Sequence, residues 1–109
     1  MTEEMRYARL IFKCDDLNDE VEKIAAQRVL QKLSKLSEKI KDVITDLSKE
    51  SVDSNIIALI FQLEDLIIEV RKIVFDKKIQ ELSNVLEEFT NVIVELFKMY
   101  DVDAKWLHP

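Results

Sequence analysis

The chain has 109 residues, of which 48% are hydrophobic and 35% are charged, and its formal net charge is -6. It contains no glycine, and its single proline is the last residue. Loops that depend on glycine, such as the P-loop, the dinucleotide-binding fingerprint and the EF-hand turn, are therefore excluded, and the lack of helix breakers favours long helices.

The first predicted element is a short helix over about residues 3–14, with Thr2 as its N-cap. A break is predicted between Cys14 and Asp19, where acidic side chains are concentrated. Carboxylate oxygens accept hydrogen bonds from the first amides of a helix and complement its dipole. We therefore interpret Asp15, Asp16 and Asp19 as caps of the next helix.

The second predicted element is one long helix over about residues 19–50, roughly 48 Å in length. Its apolar residues fall on three heptad positions that form one stripe, as in a helix with one buried face. The stripe consists of Ala26, Val29, Leu30, Leu33, Leu36, Ile40, Val43, Ile44 and Leu47. A second break is predicted between Ser48 and Asn55, where Ser51, Asp53 and Ser54 are good caps.

The third predicted element covers about residues 54–100, followed by a tail over 101–109. Its first part carries two apolar stripes, and the second of these recurs every seven residues beyond Asp76. Either one helix runs through Asp76 or two helices meet there in a tight turn. No glycine or proline forces a turn at this point, so we favour the continuous helix, which would be roughly 70 Å long.

These elements predict an all-α fold of long antiparallel helices, three or four per chain, packed as a coiled-coil-like helical bundle. We expect one domain over residues 1–109. The longest apolar run, Ile56 to Phe61, is much shorter than the roughly 20 residues that a membrane span needs. The acidic N-terminus lacks the apolar core of a signal peptide, so we expect a cytoplasmic protein that does not bind membranes.

The leading functional hypothesis is a non-enzymatic protein for assembly or protein–protein interaction, either a homodimer or bound to another helical protein. A helix with two apolar faces must be covered from two sides. The second stripe and the tail tryptophan are the predicted interface, and no cofactor is expected. The interface residues are Phe61, Ile68, Phe75, Leu82, Phe89, Leu96 and Trp106.

The alternative is a small magnesium-dependent all-α nucleotide phosphohydrolase. Clustered carboxylates suit Mg²⁺, and the candidate ligands are Asp16, Asp19, Glu64, Asp65 and Glu69. The run from Asp15 to Asp19 resembles the DDxxD motif of isoprenoid-chain synthases, which also require a second acidic motif and a larger helical cavity. The all-α nucleotide pyrophosphohydrolases use ExxE pairs, and this chain has none. The leading hypothesis therefore includes no metal.

A third hypothesis is a binder of nucleic acid or of an acidic partner. Arg28, Lys32, Lys35 and Lys39 form a short basic stripe on the predicted long helix. The acidic net charge disfavours nucleic acid, and no aromatic residue lies among these basic side chains. The single Cys14 is interpreted as a buried or half-buried residue, and the single His108 lies too close to the C-terminus to build a catalytic triad.

Overall fold

The computed structural model describes residues 2–50 and 53–101, and within them the chain forms four helices and no strand. The helices are α1 (Glu3–Arg28), α2 (Gln31–Lys49), α3 (Asp53–Lys77) and α4 (Gln80–Met99). Helix α1 packs against α2 and α4, and α3 packs against the same two helices, so that α1 and α3 lie diagonally. The predicted all-α bundle is confirmed.

Helix α1 begins where the sequence predicts but extends fourteen residues beyond its predicted end. The backbone amide of Met5 donates to the Thr2 hydroxyl over 3.1 Å, which confirms the N-cap. The predicted break between Cys14 and Asp19 is wrong, and so is the capping role of the aspartates. The helix continues because Cys14, Leu17 and Asn18 extend its buried face.

The predicted long helix over 19–50 is also wrong, because the chain turns at Val29. Val29 has φ 54° and ψ 47°, the left-handed conformation that ends many helices. Its amide donates to the carbonyl of Ala26 over 3.4 Å, and the amide of Leu30 donates to that of Ala25 over 3.0 Å. Glycine is the usual residue at this position, so a β-branched valine gives no sign of the turn.

The favoured continuous helix over 54–100 is likewise wrong, because α3 ends at Lys77 and α4 begins at Gln80. Lys78 has φ 52°, and its amide donates to the carbonyl of Phe75 over 3.3 Å. The seven-residue series that crosses this turn is buried only on the α4 side, because its α3 members are half-buried or exposed. The series therefore indicates neither a continuous helix nor a continuous buried stripe. The break predicted between Ser48 and Asn55 is confirmed, because α2 ends at Lys49 and α3 begins at Asp53, while the predicted cap Ser51 lies outside the described residues.

The two halves of the chain are repeats of one helical hairpin, offset by 49 residues. Nine of the sixteen residues in 10–25 are identical to their counterparts in 59–74, and eight of the nineteen in 31–49 are identical in 80–98. The turns at Val29 and Lys78 occupy corresponding positions. The amide of Val29 donates to the carbonyl of Ala26, and the amide of Lys78 donates to the corresponding carbonyl of Phe75. Helix α1 therefore corresponds to α3, and α2 to α4.

The core is aliphatic and aromatic apart from the buried Glu64 of α3 and one polar pair in the first hairpin. Asn18 and Ser37 are fully buried, and the Ser37 hydroxyl donates to Oδ1 of Asn18 over 2.9 Å. The Nδ2 atom of Asn18 donates to the carbonyl of Ser37 over 3.1 Å. At the corresponding positions the second hairpin buries Ile67 and Leu86. The same core position is thus filled by a hydrogen-bonded polar pair in the first hairpin and by two aliphatic side chains in the second.

Replacing Val29 with glycine is expected to raise the free energy of unfolding by about 1 kcal/mol. The left-handed conformation costs an L-residue roughly 1–2 kcal/mol, and the greater chain entropy of glycine offsets only part of this gain. Val29 is 77% exposed, so little packing is lost. Urea unfolding measures the change. Val29→Ala is the control, because it keeps the Cβ atom and gains nothing, and a Val29→Gly protein less stable than wild type would contradict the argument.

Candidate interaction surface

Three of the predicted interface residues are part of the chain's own core. Leu82, Phe89 and Leu96 are fully buried between α4 and its neighbours. The structure therefore places them in the core of the folded bundle and not on its surface. The reason is that the seam of α4 faces α1 and α3 of the same chain.

The remaining predicted interface residues have different environments. Phe61 and Ile68 are half-buried, and the Phe61 ring packs against Phe97 with 4.8 Å between ring centroids. Phe75, near the end of α3, is 83% exposed. Trp106 lies outside the described residues. The predicted stripe is therefore not one continuous surface, whereas the homodimer itself stays a prediction.

The carboxylates of the alternative hypothesis are not gathered into one site. Asp16 is exposed and Asp19 half-buried on α1, while Glu64 is buried and Asp65 and Glu69 are exposed on α3. These two helices lie diagonally across the bundle. In the described part of the chain, no group of three or more histidine, cysteine, aspartate or glutamate side chains could hold a metal ion.

The predicted basic stripe is divided between two helices. Arg28 lies in the last turn of α1, where its guanidinium pairs with the carboxylate of Glu81 at the start of α4. Lys32, Lys35 and Lys39 are exposed on α2. Arg28 therefore connects α1 to α4, and the continuous stripe is reduced to three lysines.

The surroundings of the Cys14 thiol and the Tyr7 hydroxyl indicate that both groups have structural roles. Burial, with a smaller contribution from the charge of Asp15, raises the pKa of the Cys14 thiol to about 12. The Tyr7 hydroxyl donates to the carbonyl of Leu47 over 2.8 Å and joins α1 to the end of α2. Burial is also the main cause that raises the pKa of Tyr7. A thiol held neutral is a poor nucleophile, so Cys14 serves packing. His108 lies outside the described residues.

Helix α1 carries an apolar surface that the sequence did not indicate. Phe12 is 71% exposed, and Met5, seven residues earlier on the same helix face, is 61% exposed. An open groove of about 430 Å³ lies between Phe12 and α2, with Ile11 and Ile44 among its lining residues. A second groove, of about 600 Å³, lies on the other side of Phe12 against α4. Phe12 thus stands on a ridge between two grooves.

Charged residues flank Phe12 on the α4 side. Arg9 precedes it by three residues and Asp16 follows it by four, and both line the groove against α4. Residues at these spacings lie next to Phe12 on the helix surface. Lys13 and Glu95 line the same groove, so the surface combines an aromatic centre with two positive and two negative side chains. The sequence does not separate Phe12 from the adjoining Leu10 and Ile11, whereas the structure buries those two residues and leaves Phe12 exposed.

Within the described residues no helix is both long and apolar enough to cross a membrane. Neither a known protein family, nor a curated protein, nor a solved structure gives a match to the chain. The geometry of the surface around Phe12 is therefore the basis for a functional assignment.

Proposed function

We propose that the protein is a non-enzymatic assembly protein that forms a homodimer through the exposed face of α1 centred on Phe12. The observation that carries this proposal is the 71% exposure of Phe12, with Met5, 61% exposed, on the same face of α1. Large apolar side chains grouped on a surface mark interaction sites, because removing their area from water is favourable by about 25 cal/mol per Å². Aromatic anchors at the centre of an interface contribute most of its energy.

The charges on this face favour a second copy of the chain as the partner. In an antiparallel pairing of two α1 helices about a twofold axis at Phe12, Arg9 of each copy faces Asp16 of the other. This arrangement is self-complementary, as a twofold interface requires. By contrast, three basic residues and only two acidic ones line the grooves beside the exposed Phe75, so the charges there are less evenly matched for self-association; they are Arg71, Lys72, Lys78, Asp76 and Glu87.

The proposal predicts a dimer that depends on Phe12 and not on Phe75. At micromolar concentration the wild-type protein is expected to sediment at twice its chain mass of 12.8 kDa. Phe12→Ser is expected to weaken dimerisation by about 100-fold or more, since each burial of a phenylalanine contributes about 2–3 kcal/mol. Phe75→Ser, the matched control, is expected to leave the dimer intact.

A charge exchange tests the arrangement independently of the aromatic ring. Arg9→Asp is expected to weaken the dimer because it places acidic groups opposite each other, and adding Asp16→Arg is expected to restore it. A wild-type protein that stays at the monomer mass at all accessible concentrations would overturn the proposal. A dimer lost in Phe75→Ser and kept in Phe12→Ser would overturn the choice of face.

A further inference from the structure

The groove between Phe12 and α2 has a filled counterpart in the second hairpin. The offset of 49 residues relates Phe12 to Phe61 and Ser48 to Phe97. In the second hairpin the Phe97 ring lies against Phe61, with 4.8 Å between centroids, and is only 1% exposed. The other related lining pairs are Tyr7 and Ile56, Ile11 and Ile60, and Ile44 and Ile93. One half of the molecule therefore shows what kind of side chain this groove accepts.

The first hairpin lacks the aromatic ring that covers this position. Ser48 stands in place of Phe97, and its hydroxyl donates to the carbonyl of Ile44 over 2.9 Å, along its own helix. The short side chain leaves the groove of about 430 Å³ open beside Phe12. This difference between serine and phenylalanine accounts for the exposure of Phe12 and the partial burial of Phe61.

We infer that the Phe12 ring of a second copy occupies this groove, in the position beside Phe12 that Phe97 holds beside Phe61. The inference rests on the proposed homodimer and adds that each copy inserts its Phe12 ring into the groove of the other. A twofold axis at Phe12 brings the two rings together, so each ring enters the groove of the opposite copy. Aromatic rings pair favourably at centroid separations of about 4.5–7 Å, as the Phe61 pair does.

The lining of the groove suits a phenyl ring of this kind. Ile11 and Ile44 supply apolar side chains, and Asp15 and Lys49 add charged groups to the lining. The Tyr7 hydroxyl is held by the carbonyl of Leu47, so the tyrosine contributes a ring that is fixed in place. The groove therefore offers isoleucine side chains and a fixed tyrosine ring within a partly charged lining, and such a preorganised site lowers the entropic cost of binding.

Ser48→Phe tests the inference because it gives the first hairpin the residue of the second. Its own new ring is expected to pack against Phe12, as Phe97 packs against Phe61, and to exclude the partner's ring. The dissociation constant of the dimer is expected to rise at least tenfold, while the unfolding temperature of the chain does not fall. Ser83→Phe, at an exposed serine of α4, is the matched control and is expected to leave the dimer unchanged.

The outcomes separate this inference from the proposed function. If Phe12→Ser dissociates the dimer and Ser48→Phe leaves it unchanged or tighter, the groove assignment is overturned and the homodimer stands. If the wild-type chain is monomeric, both are overturned. If Trp106→Ala weakens the dimer as strongly as Phe12→Ser while Ser48→Phe has no effect, residues 101–109 contribute the aromatic group and the inference is overturned.

Discussion

Replacing Phe89 with alanine is expected to lower the free energy of unfolding by about 3–5 kcal/mol. Phe89 is fully buried on α4 in the core of the bundle. Truncation removes its apolar area from the core and leaves a cavity that the surrounding helices fill only in part. Since a domain of this size is stable by about 5–15 kcal/mol, the loss is a large share of the total. Urea unfolding followed by circular dichroism measures it.

Phe75→Ala is the matched control for this prediction, because it removes the same atoms from a side chain that is 83% exposed. Its effect on stability is expected to stay within about 0.5 kcal/mol. If Phe89→Ala were as stable as wild type, Phe89 would lie outside the core, as the interface assigned from the heptad pattern supposed. The two variants thus decide between the core and interface roles of the same heptad series.

Hydrophobic periodicity predicted which residues face the core better than it predicted where helices end. Leu33, Ile40 and Leu47 belong to the stripe predicted for the second helix, and all three are fully buried. Val29 belongs to the same stripe but is 77% exposed, because it forms the turn. A side-chain pattern contains no information about the backbone angles of a residue, and without glycine nothing else in the sequence indicates the turn.

The candidate surface on α1 could not be predicted from local sequence, because the same local sequence has two outcomes. Leu-Ile-Phe occurs at residues 10–12 and again at 59–61. Phe61 is half-buried and Phe12 exposed, and the structure attributes this to Phe97 and Ser48, each 36 residues further along the chain. Burial is decided by the neighbouring helix, so only the tertiary structure shows which copy is left uncovered.

The buried polar pair of Asn18 and Ser37 can be replaced by the residue types at the corresponding positions of the second hairpin, which tests how strongly the two side chains depend on each other. Asn18→Ile alone is expected to lower the free energy of unfolding by about 2–3 kcal/mol, because it leaves the Ser37 hydroxyl buried without its acceptor. Ser37→Leu alone is expected to cost a similar amount, because it deprives the Asn18 carbonyl oxygen of its donor and adds volume to a packed core. Each single change thus breaks a pair whose members satisfy each other.

The double variant carries the residue types that the second hairpin buries at Ile67 and Leu86, and it is expected to lie within about 1 kcal/mol of wild type. Replacing both partners of a buried hydrogen bond by apolar groups is nearly neutral or stabilising, whereas removing one leaves the other unsatisfied. The coupling energy of the cycle, the sum of the two single losses less the loss of the double variant, is therefore expected to be about 3–6 kcal/mol. Additive losses would show that the first hairpin cannot accept the packing of the second. A recovered double variant would indicate that the polar pair is kept for specificity, because it makes the two hairpins unlike and favours one pairing of their helices.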